Sequence, residues 1–290
     1  AYDPSLNWRT MESEHFYLHY ENERIKSAKK IILIAEKVHE ELSVRFSWSP
    51  QDKTHLVLTD HVDFANGYAS FLPFNRSVLF LRPPEAGQLN FEDWLTSLIT
   101  HEYTHILHLD KSEGAPGFLQ NIFGRFFLFY PNAFQPSWII EGLATYVETD
   151  HDRKIGRGAS TWFAAQMREE LLHGFKSVAE VNMSSASWPF NARYLYGYYF
   201  FEFIEATYGK EKVAQYIDNY SDNIFPYLIN TNANNVLGKD LNELWEDFES
   251  YLKAKLLTDT SSYSKSKLIT QTGFQKYDFE LGNNNSIYYV

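Results

Sequence analysis

Residues 90–110, NFEDWLTSLITHEYTHILHLD, set three histidines and two glutamates inside a segment apolar enough to be buried. Trp94, Leu95, Leu98, Ile99, Ile106 and Leu109 recur at helical spacing and give a broad apolar face. Asn90 is the expected N-cap, with Glu92 and Asp93 where the helix dipole favours acids. On that helix His101 and His105 lie four positions apart, about 40° around the axis and one turn above each other. Both imidazoles can reach one cation. Glu102 points about 100° away from His101, beside such an ion, where it can act as a general base. This is the physical content of H-E-x-x-H as a zinc motif. The bland reading makes His101 and His105 core histidines bonded to backbone, and leaves Glu102 without a reason to be there.

A catalytic zinc usually takes three protein ligands and keeps one position open. The chain has no cysteine, so thiolate sites and disulfides are excluded and the third ligand must be His or an acid. His108, three after His105, is directed to the outer flank of the helix. A third histidine six places beyond His105 is missing, since that position is Lys111. Glu141, in WIIEGLATYVE (138–148), is the better candidate. It stands in an apolar, helix-like stretch, and a buried carboxylate needs a partner such as a metal.

The rest of the chain predicts an α+β fold. HFYLHYEN (15–22), THLVLTD (54–60) and RSVLFLRPP (76–84) read as strands, and residues 23–46 as a long helix. Helices follow over 138–150, 160–174, 192–209, 210–222 and 239–257, the last opened by a capping box, Asp240 with Glu243. Residues 114–138 are Gly-, Pro- and Phe-rich and read as an ordered connection with short helical pieces. Within it FGRFFLFYPNAF (123–134) wraps onto the core or meets a membrane surface or a hydrophobic substrate. Residues 258–267 form a polar linker, and 277–290 a strand, a turn and a strand.

With 26 basic and 37 acidic residues the net charge is −11, which leaves no basic stripe for nucleic acid. No apolar run has the length of a membrane span, and the first residues, AYDPSLNW, are neither basic nor apolar as a signal peptide is.

HEYTH followed by WIIEGLATY resembles the gluzincins, zinc peptidases with a glutamate third ligand, and in particular the bacterial peptidase MA-like families. WRTMESEHF (8–16), YLYGYYFFEFIEATYG (194–209) and GKDLNELWEDFESYL (238–252) are similar to their opening strand, tyrosine-bearing helix and closing helix. The resemblance implies Zn2+ on His101, His105 and Glu141, Glu102 as general base, and a tyrosine that steadies the oxyanion. Tyr194 matches that position best, with Tyr196 and Tyr198 as rivals. It also implies a thermolysin-like zincin fold, a mixed sheet with the active-site helix and then a helical subdomain. Residues 1–257 form the peptidase domain, divided at 113/114, and the strand RSVLFL pairs with an extended peptide or protein substrate. Glu148, seven after Glu141, either orients a ligand histidine or is solvated. No G-x-M-E-N stretch precedes the motif, so an endopeptidase is expected rather than an aminopeptidase. The alternative is a weak or inactive zincin-like binding or assembly module that keeps zinc structurally. Residues 277–290 are similar to the opening of a TolB-like β-propeller, and proteins of this kind are typically periplasmic or extracellular.

Overall fold

FYLHYE and THLVLT alternate buried and half-buried residues, so each becomes a strand with one face on the core. The computed structural model describes residues 5–61, 65–84, 93–183, 188–257, 280–284 and 286–288. The expected cap Asn90, its neighbour Glu92 and the linker 258–267 lie outside them. Contacts divide the chain into two units, Ala1–Leu256 and Leu257–Val290.

The first unit is α+β. Its five strands are β1 (Trp8–Glu12), β2 (Phe16–Glu21), β3 (Thr54–Thr59), β4 (Gly67–Ser70) and β5 (Arg76–Phe80). They form one mixed sheet in the order β1-β2-β3-β5-β4. β2, β3 and β5 run parallel, and β1 and β4 close the edges antiparallel. This corrects one expectation. RSVLF is β5, held between β3 and β4, and among the described strands the edge on that side is β4. GYAS is four residues long and lacks the alternation that marks a strand in sequence.

One sheet face carries Phe16, Leu18, Leu56, Leu58 and Leu79, all buried. Against it lie α1 (Ile25–Phe46) and α2 (Trp94–Asp110). α2 is enclosed nearly all round. Ile99, Tyr103, Ile106 and Leu107 are at most 2% exposed, worth about 1.5–3 kcal/mol per side chain in transfer energy. The buried His39 of α1 bonds the Tyr103 hydroxyl through Nδ1 at 2.6 Å.

The Phe-rich connection contains α3 (Gly114–Phe123) and two short 3-10 turns, Phe127–Phe129 and Pro131–Phe134. Its buried Asn132 donates to the carbonyl of His108 at 2.9 Å, satisfying an end group of α2. Beyond it come α4 (Ser137–Glu148), α5 (Thr161–His173), α6 (Val178–Asn182), α7 (Ala192–Tyr208), α8 (Lys210–Ser221), α9 (Ile229–Leu237) and α10 (Leu241–Leu256). The capping box of α10 is formed, with Asp240 N–H on Glu243 and Glu243 N–H on Asp240 Oδ1. Trp138, Tyr196, Phe200, Trp245 and Phe248 stack into one aromatic core between α4, α7 and α10. In the second unit, β6 (Glu280–Leu281) and β7 (Ile287–Tyr288) pair antiparallel.

α4 and α7 cross at two glycines. A Cβ on Gly142 would lie 2.3 Å from the Gly197 Cα, and one on Gly197 would lie 2.1 Å from the Trp138 carbonyl oxygen. Backbone cannot yield there as a flexible side chain can. Gly197→Ala is expected to lower the unfolding free energy by about 3 kcal/mol, the upper end of overpacking costs, measured by urea denaturation. An unchanged midpoint would show that the helices move apart freely.

Candidate metal centre

Helix α2 points His101 and His105 at α4, and α4 answers with Glu141. His101 Nε2 is 3.1 Å from His105 Nε2. Glu141 Oε2 lies 3.4 Å from the first and 3.3 Å from the second. Among the described residues these three form the one group of three or more His, Asp or Glu able to hold a metal. Ligand bonds of 2.0–2.2 Å in a tetrahedron set donors about 3.4 Å apart. The spacing here fits a zinc-sized ion. Burial opposes ionisation of Glu141, yet hydrogen bonds from both imidazoles hold it well below the usual carboxylate range.

Glu102 is buried beside this group. Its Oε2 has no hydrogen-bond partner. Burial, the largest influence, raises its pKa, against the charges of His101 and His105. Gly67 of β4 leaves the room it occupies, since a Cβ there would lie 2.9 Å from Glu102 Oε1.

Glu148 is the group that sequence left open between two roles. It is buried, and its Oε2 lies 2.8 Å from His101 Nδ1. A histidine that offers Nε2 to a metal donates through Nδ1, and a carboxylate there fixes the tautomer. Glu148 is itself gripped by Arg157, with Nε on Oε1 at 2.8 Å and Nη2 on Oε2 at 2.9 Å. The Arg157 backbone N–H adds a bond of 3.1 Å to Oε1. Burial works against ionising Glu148, but the guanidinium charge outweighs it and holds the pKa far below the ordinary value. Arg157 Nη2 also lies 2.8 Å from His101 Nδ1. With Nδ1 protonated toward Glu148, that N–H goes to the carboxylate instead. Arg157 is the residue sequence reading missed. The chain leaves α4, closes an Asp150–Ile155 bridge and returns at Gly156. Gly156 has φ +83°, and a Cβ there would be 2.6 Å from the Glu148 carbonyl oxygen, so a side chain would block the return. No spacing rule announces this.

The three candidate tyrosines of α7 separate cleanly. Tyr196 donates to Glu170 at 2.7 Å and accepts from the Lys176 N–H. Tyr198 bonds His151 at 2.9 Å. Tyr194 alone of the three lines the cleft, its ring under the Arg157 guanidinium at 4.6 Å. Burial raises its pKa, as does Glu141.

His108 is a correction. Expected on an outer flank, it is completely buried, with both ring nitrogens unpartnered. The Phe-rich connection folds back over that side of α2 and brings Gln135 beside the ring. Burial pushes the pKa of His108 down to about 3, so the ring is neutral. His151 and His173 are exposed.

The group opens into a cleft of about 380 Å³ walled by Trp94, Leu98, Leu109 and Ile140 on one side and Gly67–Ala69 of β4 on the other.

No protein-family model matches the chain. It is similar to a protein of Treponema pallidum (strain Nichols) described as uncharacterized, 26% identical over 284 residues. The match takes in 92% of this chain and 25% of that protein, so the chain spans about a quarter of the length of this relative.

Two outcomes follow for metal binding. Glu148→Gln keeps the shape but loses the charge that orients His101, and should weaken zinc affinity about 10–100-fold. Competition with a chromophoric chelator measures it, and unchanged affinity would contradict the role. The second concerns protons. Burial and the Arg157 charge act to lower the His101 pKa, but Glu148 and Glu141 outweigh them and raise it to about 9. The metal-free imidazole is therefore protonated at pH 7, whereas a ligand nitrogen must be free. Zinc binding at pH 7 should release about one proton from this residue, and affinity should climb with pH until about 9. Calorimetry in buffers of different ionisation enthalpy reads the proton count.

Proposed function

We propose that this chain is a zinc-dependent peptidase of gluzincin type with a thermolysin-like arrangement, an endopeptidase rather than an aminopeptidase. The observation that carries the reading is the convergence of His101 Nε2, His105 Nε2 and Glu141 Oε2 within 3.4 Å of one another, with Glu102 beside them. Core histidines bonded to backbone would not face each other across a carboxylate.

A bound zinc ion supplies Lewis-acid chemistry, polarising a carbonyl and making water a nucleophile near neutral pH. The protein's own groups do the rest. Glu102, raised by burial and with Oε2 unpartnered, takes the proton of the attacking water and hands it to the leaving amine. The Tyr194 hydroxyl donates to the oxygen on which negative charge develops. β4 ends the sheet, so its outer backbone groups can pair with an extended peptide laid along the cleft. That role passes to Gly67–Ser70 from RSVLFL. The apolar side chains of Trp94, Leu98, Leu109 and Ile140 line the cleft beside the reacting groups. Export to the periplasm or cell surface, and a β-propeller continuing from the second unit, belong to the same proposal and rest on the family resemblance alone.

The test is zinc content and cleavage of an unfolded protein substrate. Wild type should hold one zinc and cut. Glu102→Gln should hold zinc and lose at least about 10³ in kcat, the combined effect of base and acid roles. Tyr194→Phe should keep zinc and lose about 10²-fold in kcat, as for an oxyanion donor. Zinc-loaded wild type that cuts no faster than Glu102→Gln would overturn the peptidase and leave a zinc-holding binding module. No stoichiometric zinc would overturn both.

A further inference from the structure

The connection that covers His108 has an outer side which the metal centre does not use. Between Glu113 and Glu141 the sequence carries a single charge, Arg125, in a chain with 26 basic and 37 acidic residues. That charge is folded inward. Arg125 Nη1 pairs with Asp110 at 2.8 Å, Nη2 donates to Asn75 Oδ1 at 2.9 Å and to the Phe71 carbonyl, and the guanidinium lies over Tyr130.

What remains outside is apolar. Phe118, Ile122, Phe123, Phe126, Phe127 and Leu128 are each between 44% and 69% exposed. Asn121 is the one polar side chain among the exposed residues of 114–128. The group is joined through ring contacts of Phe129 with Phe123 and Phe126. Its tip is Gly124, at φ +79°, where a Cβ would meet nothing within 4 Å. The tip stands free of the body. Part of its backbone is nevertheless paired from within. Gly124 N–H bonds Gln120 at 2.8 Å, Phe126 N–H bonds Gly124 at 2.9 Å and Phe129 N–H bonds Phe126 at 2.9 Å.

We propose that this tip is a membrane-surface anchor that enters the headgroup and acyl boundary of a bilayer of neutral lipids. Three properties select that occupant. The exposed apolar area is roughly 600 Å², taking about 200 Å² for a whole Phe, at the top of what single chains leave uncovered. A second protein surface needs about 800 Å² per partner and about ten hydrogen bonds, and the tip offers less area and a single amide. A lipid boundary asks for no shape match, and at the headgroup level water and lipid oxygens can take the backbone groups that the three internal bonds leave over. The third property is charge. A molecule of net −11 whose one cation in this segment is folded inward onto Asp110 is repelled by anionic lipid and matched to zwitterionic lipid. No described helix is long and apolar enough to cross a membrane, so the contact is interfacial. It stands independently of the peptidase reading.

The experiment is flotation of the chain with phosphatidylcholine vesicles, with and without phosphatidylglycerol. Wild type should float with phosphatidylcholine, no better with phosphatidylglycerol, and equally in 0.1 M and 1 M salt. The double variant Phe123→Ser, Phe126→Ser should lose at least about 100-fold in partitioning, from the apolar area removed. Because these side chains are exposed, its thermal midpoint should match wild type. If it does not, Phe118→Ser with Ile122→Ser makes the same test from the other side of the tip. Wild type left out of the vesicle fraction would overturn the proposal. So would a concentration-dependent dimer abolished by the variant, or a rise in KM for a soluble peptide, in either case without flotation.

Discussion

Everything at the candidate centre depends on two helices touching through bare backbone. Gly142 and Gly197 let α4 and α7 cross at a separation that no side chain would permit. Glu141 immediately precedes one glycine, and Tyr194 lies three before the other. Both are therefore carried by a joint packed backbone against backbone. The joint is braced by Trp138, whose ring meets Phe200 and Trp245 edge-on. Side chains fixed this way have little freedom left to lose when an ion or a substrate arrives.

Around that joint the chain gathers buried and half-buried charge. Isolated, each of Glu102, Glu141, Glu148, His101 and Arg157 would be costly to bury. Together they divide into a closed set and an open one. Arg157 and Glu148 satisfy each other and lock one face of His101. Glu141 and the two Nε2 atoms converge from the other side, and Glu102 keeps an unpartnered oxygen. The closed pair supports orientation, and the open set keeps donor capacity for a ligand.

Much of this was legible in the chain's letters, and the reason is periodicity. His101 and His105 announce themselves because a helix turns in 3.6 residues, and Glu141 because a carboxylate in an apolar stretch demands a partner. The long helices and the two core strands of the sheet followed from spacing in the same way. What escaped depended on the path of the chain between elements. Arg157 arrives through an irregular loop turned by Gly156. β4 is too short to alternate visibly, so the open sheet edge was assigned to β5, its inner neighbour. His108 looked peripheral because nothing local reveals that residues 114–136 fold back over α2.

The most direct measurement is X-ray absorption at the zinc edge of the zinc-loaded chain. The account predicts a four-coordinate shell of nitrogen and oxygen near 2.0–2.1 Å with the outer-shell scattering of two imidazoles, and loss of one imidazole in His105→Ala. A six-coordinate oxygen shell, or a spectrum unchanged by His105→Ala, would contradict it.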